Sequence, residues 1–230
     1  MAEELINAYF YLYFMKPNAS TLQNWNKLAQ AYQDKFMEMD LYNVTYDQFC
    51  DAIDNDNAHV LELGCGPGNV TKYILNKKPD YSILATDTAP TMIELGKINL
   101  PKAEFQLLDV RDMVGLHQSF DAILGGFVVP YLNSAETKQF IADSVQLLND
   151  SGILYFSCIE KDTSYSETQT SSDGKITMEV NYHDSASLIQ SLEENQFRVV
   201  SIFRIDYPKP NGTSDIHLVI IAQKKNSPET

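Results

Sequence analysis

Three glycines at alternate positions, Gly64, Gly66 and Gly68, follow directly on a short apolar run that carries an acidic residue, in residues 60–70, VLELGCGPGNV. Glycines so placed let the backbone turn sharply and let a ligand approach main-chain N–H groups with no Cβ between them. The chemistry this suits is the holding of a nucleotide-like molecule. A second carboxylate, Asp87, closes the next apolar run, residues 81–86, YSILAT. It stands about 20 positions beyond Gly68, the offset at which an acidic residue meets ribose hydroxyls. A carboxylate can accept two charge-assisted hydrogen bonds from a vicinal diol, about 1.5–3 kcal/mol each. Asp87 also precedes Pro90 and a helical stretch, so helix capping is an equally open role. Asp109 ends a third run, residues 103–108; taken by itself it is a loop carboxylate.

These residues need elements to position them. Residues 58–63 are too short for a helix and are β-compatible, while residues 69–76 space Val70, Tyr73 and Ile74 as a helix does, which predicts strand, glycine loop, helix. Residues 120–125, FDAILG, predict a fourth strand. Ligands in such sheets bind beyond the carboxyl ends of strands, which puts Gly125, Gly126, Phe127, Pro130 and Tyr131 at the site and Asp121, His117 and His59 away from it. A helix over 134–148 leads to a fifth strand over 153–158. Residues 161–174, rich in Ser, Thr and Asp, predict a loop that is either a lid or plain surface, and 175–182 alternate like a short hairpin strand. His183 follows, as the one histidine whose place in the chain could bring it to the mouth of a site; a bystander or helix-start role is the alternative. After a helix over 185–194, residues 197–207 and 215–223 read as consecutive strands, hence an antiparallel hairpin. Near the start, residues 21–54 predict an amphipathic helix pair carrying Leu22, Trp25, Ala29 and Tyr32, then Tyr42, Tyr46, Phe49 and Ile53.

Composition narrows the function classes. With 17 basic against 31 acidic residues, net −14, and no run of five Lys or Arg, the chain lacks the footprint of a nucleic-acid binder. Three scattered cysteines, Cys50, Cys65 and Cys158, show no metal-ligand spacing and predict a reduced, cytoplasmic protein with no bound metal. The apolar run at 5–15, LINAYFYLYFM, is too short to span a membrane and has an acidic flank where a signal peptide has a basic one. At 230 residues the chain is one compact unit.

The glycine spacing separates two families. A dinucleotide fingerprint has its third glycine three residues after the second, where this chain has Asn69. The pattern here is E-x-G-x-G-x-G, which resembles motif I of the class I S-adenosylmethionine-dependent methyltransferases, small-molecule branch; a tight turn without ligand also fits the loop taken alone. Further stretches share the resemblance: D-T-A-P-T-M-I-E-L-G-K from Asp87, with Ala89 where serine is common, Asp109-Val110, and L-N-x-x-G-x-L-x-F-S into strand five. The segment WNKLAQAYQDKF is more loosely similar to an amino-terminal helix that such enzymes lay over the cofactor.

The resemblance implies an α/β fold: a Rossmann-like, seven-stranded, mostly parallel sheet with helices on both faces and a C-terminal antiparallel hairpin. It divides the chain into an N-terminal helical cap, 1–56, and a cofactor-binding domain, 57–230, with an insertion at 160–184. The implied cofactor is S-adenosyl-L-methionine, with S-adenosyl-L-homocysteine as product, bound by Tyr32, Glu62, Gly64, Cys65, Gly66, Asp87, Thr88, Asp109, Val110 and Phe127. Asp109 would meet the adenine amino group and the Val110 N–H a ring nitrogen. The acceptor is a small molecule. In the loop after strand four, Pro130-Tyr131 stands where the family often has histidines, leaving Tyr131 and His183 as candidate bases should the acceptor be a hydroxyl. The competing readings are an NAD(P)-dependent oxidoreductase and a cofactor-binding protein without turnover. Acceptor identity and oligomeric state are not encoded in these motifs.

Overall fold

A computed structural model of the chain describes residues 19–170, 174, 176–209 and 212–226; the apolar run at 5–15 lies outside them. Strand β1 (His59–Leu63) is buried on both faces, as a mainly apolar run in a parallel sheet covered by helices on each side should be, with Glu62 the buried exception. Around it run β2 (Ser82–Asp87), β3 (Glu104–Leu107), β4 (Phe120–Gly125) and β5 (Leu148–Glu160), all parallel, in the spatial order β3-β2-β1-β4-β5. The chain then closes the sheet with β8 (Phe197–Pro208) and β9 (Ser214–Lys224): β9 lies antiparallel on β5, and β8 antiparallel on β9.

Among the described residues the sheet has nine strands, two more than expected. The extra pair comes from the insertion, which forms the antiparallel hairpin β6 (Tyr165–Thr170) and β7 (Thr177–His183) where most of a loop was predicted. Its polar composition hid a strand built from Tyr and Thr, residues that suit a pleated surface even when fully exposed. There is also a reason for where it docks. β5 is 13 residues long against 6 for β4, so Ile159 and Glu160 project past β4 with a free edge that β7 takes in parallel, Ile159 opposite Tyr182 and Glu160 opposite His183.

Helices α3 (Asn69–Lys77), α4 (Pro90–Asn99), α5 (Ser134–Leu147) and α6 (Ser185–Glu194) flank the sheet. One core lies on the face that holds Phe140, Ile141, Leu188 and Leu192 from α5 and α6. The other face packs Val70, Ile74 and Ile93 together with Tyr46, Phe49 and Ile53 from the segment around helix α2 (Asn43–Asp51). Helix α1 (Ala19–Phe36) belongs to neither; it contributes Ala29 to a small separate cluster with Ala89 and Met92, with Trp25 and Tyr32 packed against it. So of the two predicted amino-terminal helices, α2 is part of the sheet's core and α1 sits apart.

Candidate functional site

The carboxyl ends of β1, β2 and β4 open into a cavity of about 550 Å³, roofed by α1 and walled on one side by β7 and β9. Its floor begins with the glycine loop. Gly64 has φ +68°, and a Cβ there would lie 2.4 Å from Val128 Cγ2, so the position excludes any side chain. Gly66, φ +54°, is different: a Cβ would meet nothing nearer than Tyr32 Cε1 at 3.4 Å and would stand in the open floor. The loop is tied down by two hydrogen bonds to β2. Cys65 N–H donates to the Thr86 carbonyl at 2.8 Å, and Gly66 N–H donates to Asp87 Oδ2 at 2.9 Å.

Asp87 therefore does cap, since its Oδ1 accepts Ala89 N–H at 2.8 Å, and it also lines the cavity with lone pairs to spare on both oxygens. Burial raises its pKa, and the backbone N–H bonds partly offset that. Glu62 is buried more deeply, at 2% exposure, yet among the described residues its carboxylate is met by Thr71 alone, whose hydroxyl donates to Oε2 at 2.6 Å and whose backbone N–H also donates. No cation faces it among the described residues, and desolvation pushes its pKa up to about 8. A buried carboxylate without a counter-charge, opening on a cavity, suits a cationic ligand.

At the adjoining corner Asp109 caps a 3₁₀ turn, accepting Arg111 N–H at 3.0 Å, and the Arg111 guanidinium knits the corner together. It donates to Asp109 Oδ1 at 3.0 Å, to Glu136 Oε1 at 2.7 Å and to the Tyr131 carbonyl at 3.1 Å. Arg111 is thus committed to a half-buried network, in which Glu136 also closes the capping box of α5 with Asn133. Arg111 fixes the loops after β3 and β4 relative to each other.

The far end of the cavity is aromatic. Phe127 has φ +56°, a conformation that costs a bulky residue about 1–3 kcal/mol. Its N–H is held by Ser157 Oγ at 2.8 Å, and its ring lies 5.2 Å from Tyr42 and 4.7 Å from His217. Tyr207 stacks on the other side of His217 at 4.5 Å. Across α1, Trp25 meets Tyr32 and Tyr131 edge-on at 5.6 and 5.5 Å. Asn181, buried on β7, donates to the Pro130 carbonyl at 3.2 Å and accepts the Ser166 hydroxyl at 2.6 Å, binding the inserted hairpin to the loop after β4.

All ten residues expected at the cofactor line this cavity, as does Tyr131. His183 does not. It is 2% exposed and hydrogen-bonded to the Val129 carbonyl at 3.2 Å, because the strand that carries it is drawn into the sheet by β5. The histidine at the cavity is His217, in β9, which chain position did not indicate. Its signal was available: one histidine in the otherwise apolar run IHLVIIA, where a buried polar group needs a partner. His117 is exposed, and His59 is half-buried against Phe120, both away from the site.

Residues 60–152 match the family model described as a methyltransferase domain. The malonyl-[acyl-carrier protein] O-methyltransferase of Bacillus anthracis is 32% identical over 147 residues, 63% of this chain and 53% of that one. Over this stretch the chain resembles the class I S-adenosylmethionine-dependent methyltransferases. Another relative in this family, the trans-aconitate 2-methyltransferase of Variovorax paradoxus, is 34% identical over 91 residues, 40% of this chain and 32% of the relative. The methyltransferase fold extends to nearly the whole chain. The 1,6-didemethyltoxoflavin-N1-methyltransferase of Burkholderia thailandensis superposes with a TM-score of 0.69 at 18% identity, covering 92% of this chain and 91% of that one. The chain spans about a third to a half of the length of the curated relatives it matches.

Proposed function

We propose that the chain transfers a methyl group from S-adenosyl-L-methionine to a small-molecule acceptor, releasing S-adenosyl-L-homocysteine. What carries the reading is one continuous cavity that joins a glycine-and-carboxylate end to an aromatic end. The sulfonium of the bound donor supplies a methyl carbon already activated for attack. The chain's own task is then to align the partners and exclude water, and no metal is needed for that.

In this reading Asp87 takes the ribose hydroxyls, and Asp109 and the Val110 N–H take adenine. The bare floor at Gly64 and Gly66 admits the backbone of the amino-acid moiety, and Glu62 faces its positive charge. Cys65, Thr88, Phe127 and Tyr32 complete the enclosure. Tyr131 is a weak base: burial, and then the neighbouring Tyr32, hold its phenol well above its usual range, so it stays protonated at neutral pH. A small acceptor is supported by the aromatic far end, by the name of the trans-aconitate 2-methyltransferase relative and by the net charge of −14, which disfavours nucleic acid. Among the described residues no helix is long and apolar enough to cross a membrane. The three cysteines are free and buried, which supports a reducing, cytoplasmic setting.

Thermal unfolding with S-adenosylmethionine, S-adenosylhomocysteine and NADH in parallel tests the donor. Ligand at a hundred times its dissociation constant adds about 2.7 kcal/mol, roughly 5–10 °C for a chain of this size. Both adenosyl compounds should raise the transition and NADH should not; a rise with NADH alone refutes the reading. Release of S-adenosylhomocysteine with a screened acceptor separates an enzyme from a binding protein.

A further inference from the structure

The aromatic end of the cavity contains a polar pair placed for recognition. Tyr42 Oη and His217 Nδ1 are 2.6 Å apart, each side chain 7% exposed and each lining the cavity. They come from opposite ends of the chain. Neither the second ring nitrogen of His217 nor the remaining capacity of the Tyr42 hydroxyl has a partner among the described residues. The pair offers the same thing to the cavity in either tautomer. If Nδ1 carries the proton and donates to the phenol oxygen, the phenol O–H is free to donate and Nε2 to accept. If the phenol donates to Nδ1, Nε2–H donates and the phenol oxygen accepts. One donor and one acceptor side by side, framed by the rings of Phe127 and Tyr207, match a hydroxyl or N–H group on a flat ring.

The charges argue the same way. Among the described lining residues the one cation is Arg111, and its guanidinium is committed to Asp109, Glu136 and the Tyr131 carbonyl. Lys161 and Lys209 are paired with Asp215 of β9 at 3.1 and 2.9 Å, and neither lines the cavity. His217 does not become a cation at neutral pH: burial holds its pKa down to about 4, with Asp215 pulling up and Lys209 pushing down. The carboxylates facing inward are Glu62, Asp87, Asp109, Glu136 and, at the rim, Glu179. An anionic group entering this end would be desolvated with no counter-charge, which is strongly unfavourable.

We propose that the acceptor is a planar aromatic molecule whose reacting hydroxyl or N–H group is held by the Tyr42–His217 pair, and that this end of the cavity rejects carboxylates. The inference rests on the methyl-transfer reading, and its test keeps the two separable. The full chain is first saturated with S-adenosylhomocysteine, its occupancy read from the rise in unfolding temperature; absence of that rise counts against methyl transfer alone. Calorimetric titration then compares 2-naphthol with 2-naphthoate, the same ring bearing a hydroxyl or a carboxylate. Naphthol should bind one to one and at least about tenfold more tightly, the difference expected when a charged group is left unpaired. His217→Phe keeps a ring between Phe127 and Tyr207 and should weaken naphthol at least about fivefold, the loss of one hydrogen bond, while S-adenosylhomocysteine binds as before. Tyr42→Phe should do the same, and it carries the test if the histidine variant does not fold. Equal or tighter binding of naphthoate, no binding of naphthol to the cofactor-loaded chain, or indifference of naphthol to both substitutions overturns the proposal.

Discussion

At one end of the cavity the chain presents backbone and carboxylates; at the other it presents rings. The glycine-loop end is made from contiguous stretches at or just past the ends of parallel strands: 62–66 at β1, 87–88 at β2, 109–111 after β3. The aromatic end is gathered from Trp25, Tyr42, Phe127, Tyr131, Tyr207 and His217, which share no element and in the case of Tyr42 and His217 lie 175 positions apart. The first end is a property of the fold, imposed by the topology that brings strand ends together. The second is a property of this sequence, and it can be rebuilt without touching the sheet. Affinity for the donor should therefore respond to the first set of residues and acceptor choice to the second.

The harshest way to break that contrast is to fill the floor. Gly66→Val should reduce S-adenosylhomocysteine affinity by at least about a hundredfold, because the added carbons occupy ligand space, with a further folding cost of about 1–2 kcal/mol for a β-branched residue at positive φ. Calorimetry that returned a wild-type dissociation constant would mean the ligand does not lie on the loop. Asp87→Ala should cost about tenfold to a hundredfold in the same titration, equivalent to one lost charge-assisted bond or more. Neither change should alter the ratio of 2-naphthol to 2-naphthoate binding.

The pH dependence of Glu62 sharpens the comparison further. Its folded pKa, pushed up to about 8, lies above the unfolded value, so its contribution to stability is full in acid and is lost as pH rises from about 4.5 through 8. The ligand-free chain should unfold at a lower temperature at pH 8 than at pH 6, and Glu62→Gln should flatten that slope. A cationic ligand lowers the same pKa, so donor binding at pH 7 should release a proton; titrations in buffers of different ionisation heat measure it. The smallest effect concerns the roof. Asn24→Ala removes a 2.9 Å bond from α1 to the Thr177 carbonyl of β7, and should lower the unfolding temperature by about 2–4 °C, the equivalent of one net hydrogen bond.

The same contrast explains what was legible in the sequence. The glycine loop, Asp87 and Asp109 are local signals: spacing along the chain fixes where they stand once the strands are recognised, and all of them line the cavity. The parallel sheet of β1 to β5 was implied by the family resemblance, and the terminal hairpin followed from two consecutive strand patterns with no helix between them. His217 was half legible: a histidine in an apolar run announces a buried polar contact, but nothing local tells which face of β8 or β9 meets a segment near residue 42, and Tyr207 carries no such signal. Of the inserted hairpin, the alternation over 175–182 announces a strand, whereas β6 was missed, for another reason. Six exposed polar residues carry no hydrophobic period, and β6 exists because β7 beside it completes the free edge of β5.

Helix α1 is anchored by the small cluster around Ala29, Ala89 and Met92 and by polar bonds such as Asn24 to Thr177 and Asn26 to Thr91, outside both large cores. An element with so little apolar burial opens at a free energy well below that of the sheet. The roof can thus swing out while the floor keeps its shape. Hydrogen exchange should find the amides of Ala19–Phe36 unprotected long before those of β1 and β4, and bound S-adenosylhomocysteine should slow them selectively through Tyr32. The residence time of the ligand would then be set by how often this helix lifts, so variants of its outer contacts would change dissociation rates while leaving the contacts of the bound state intact.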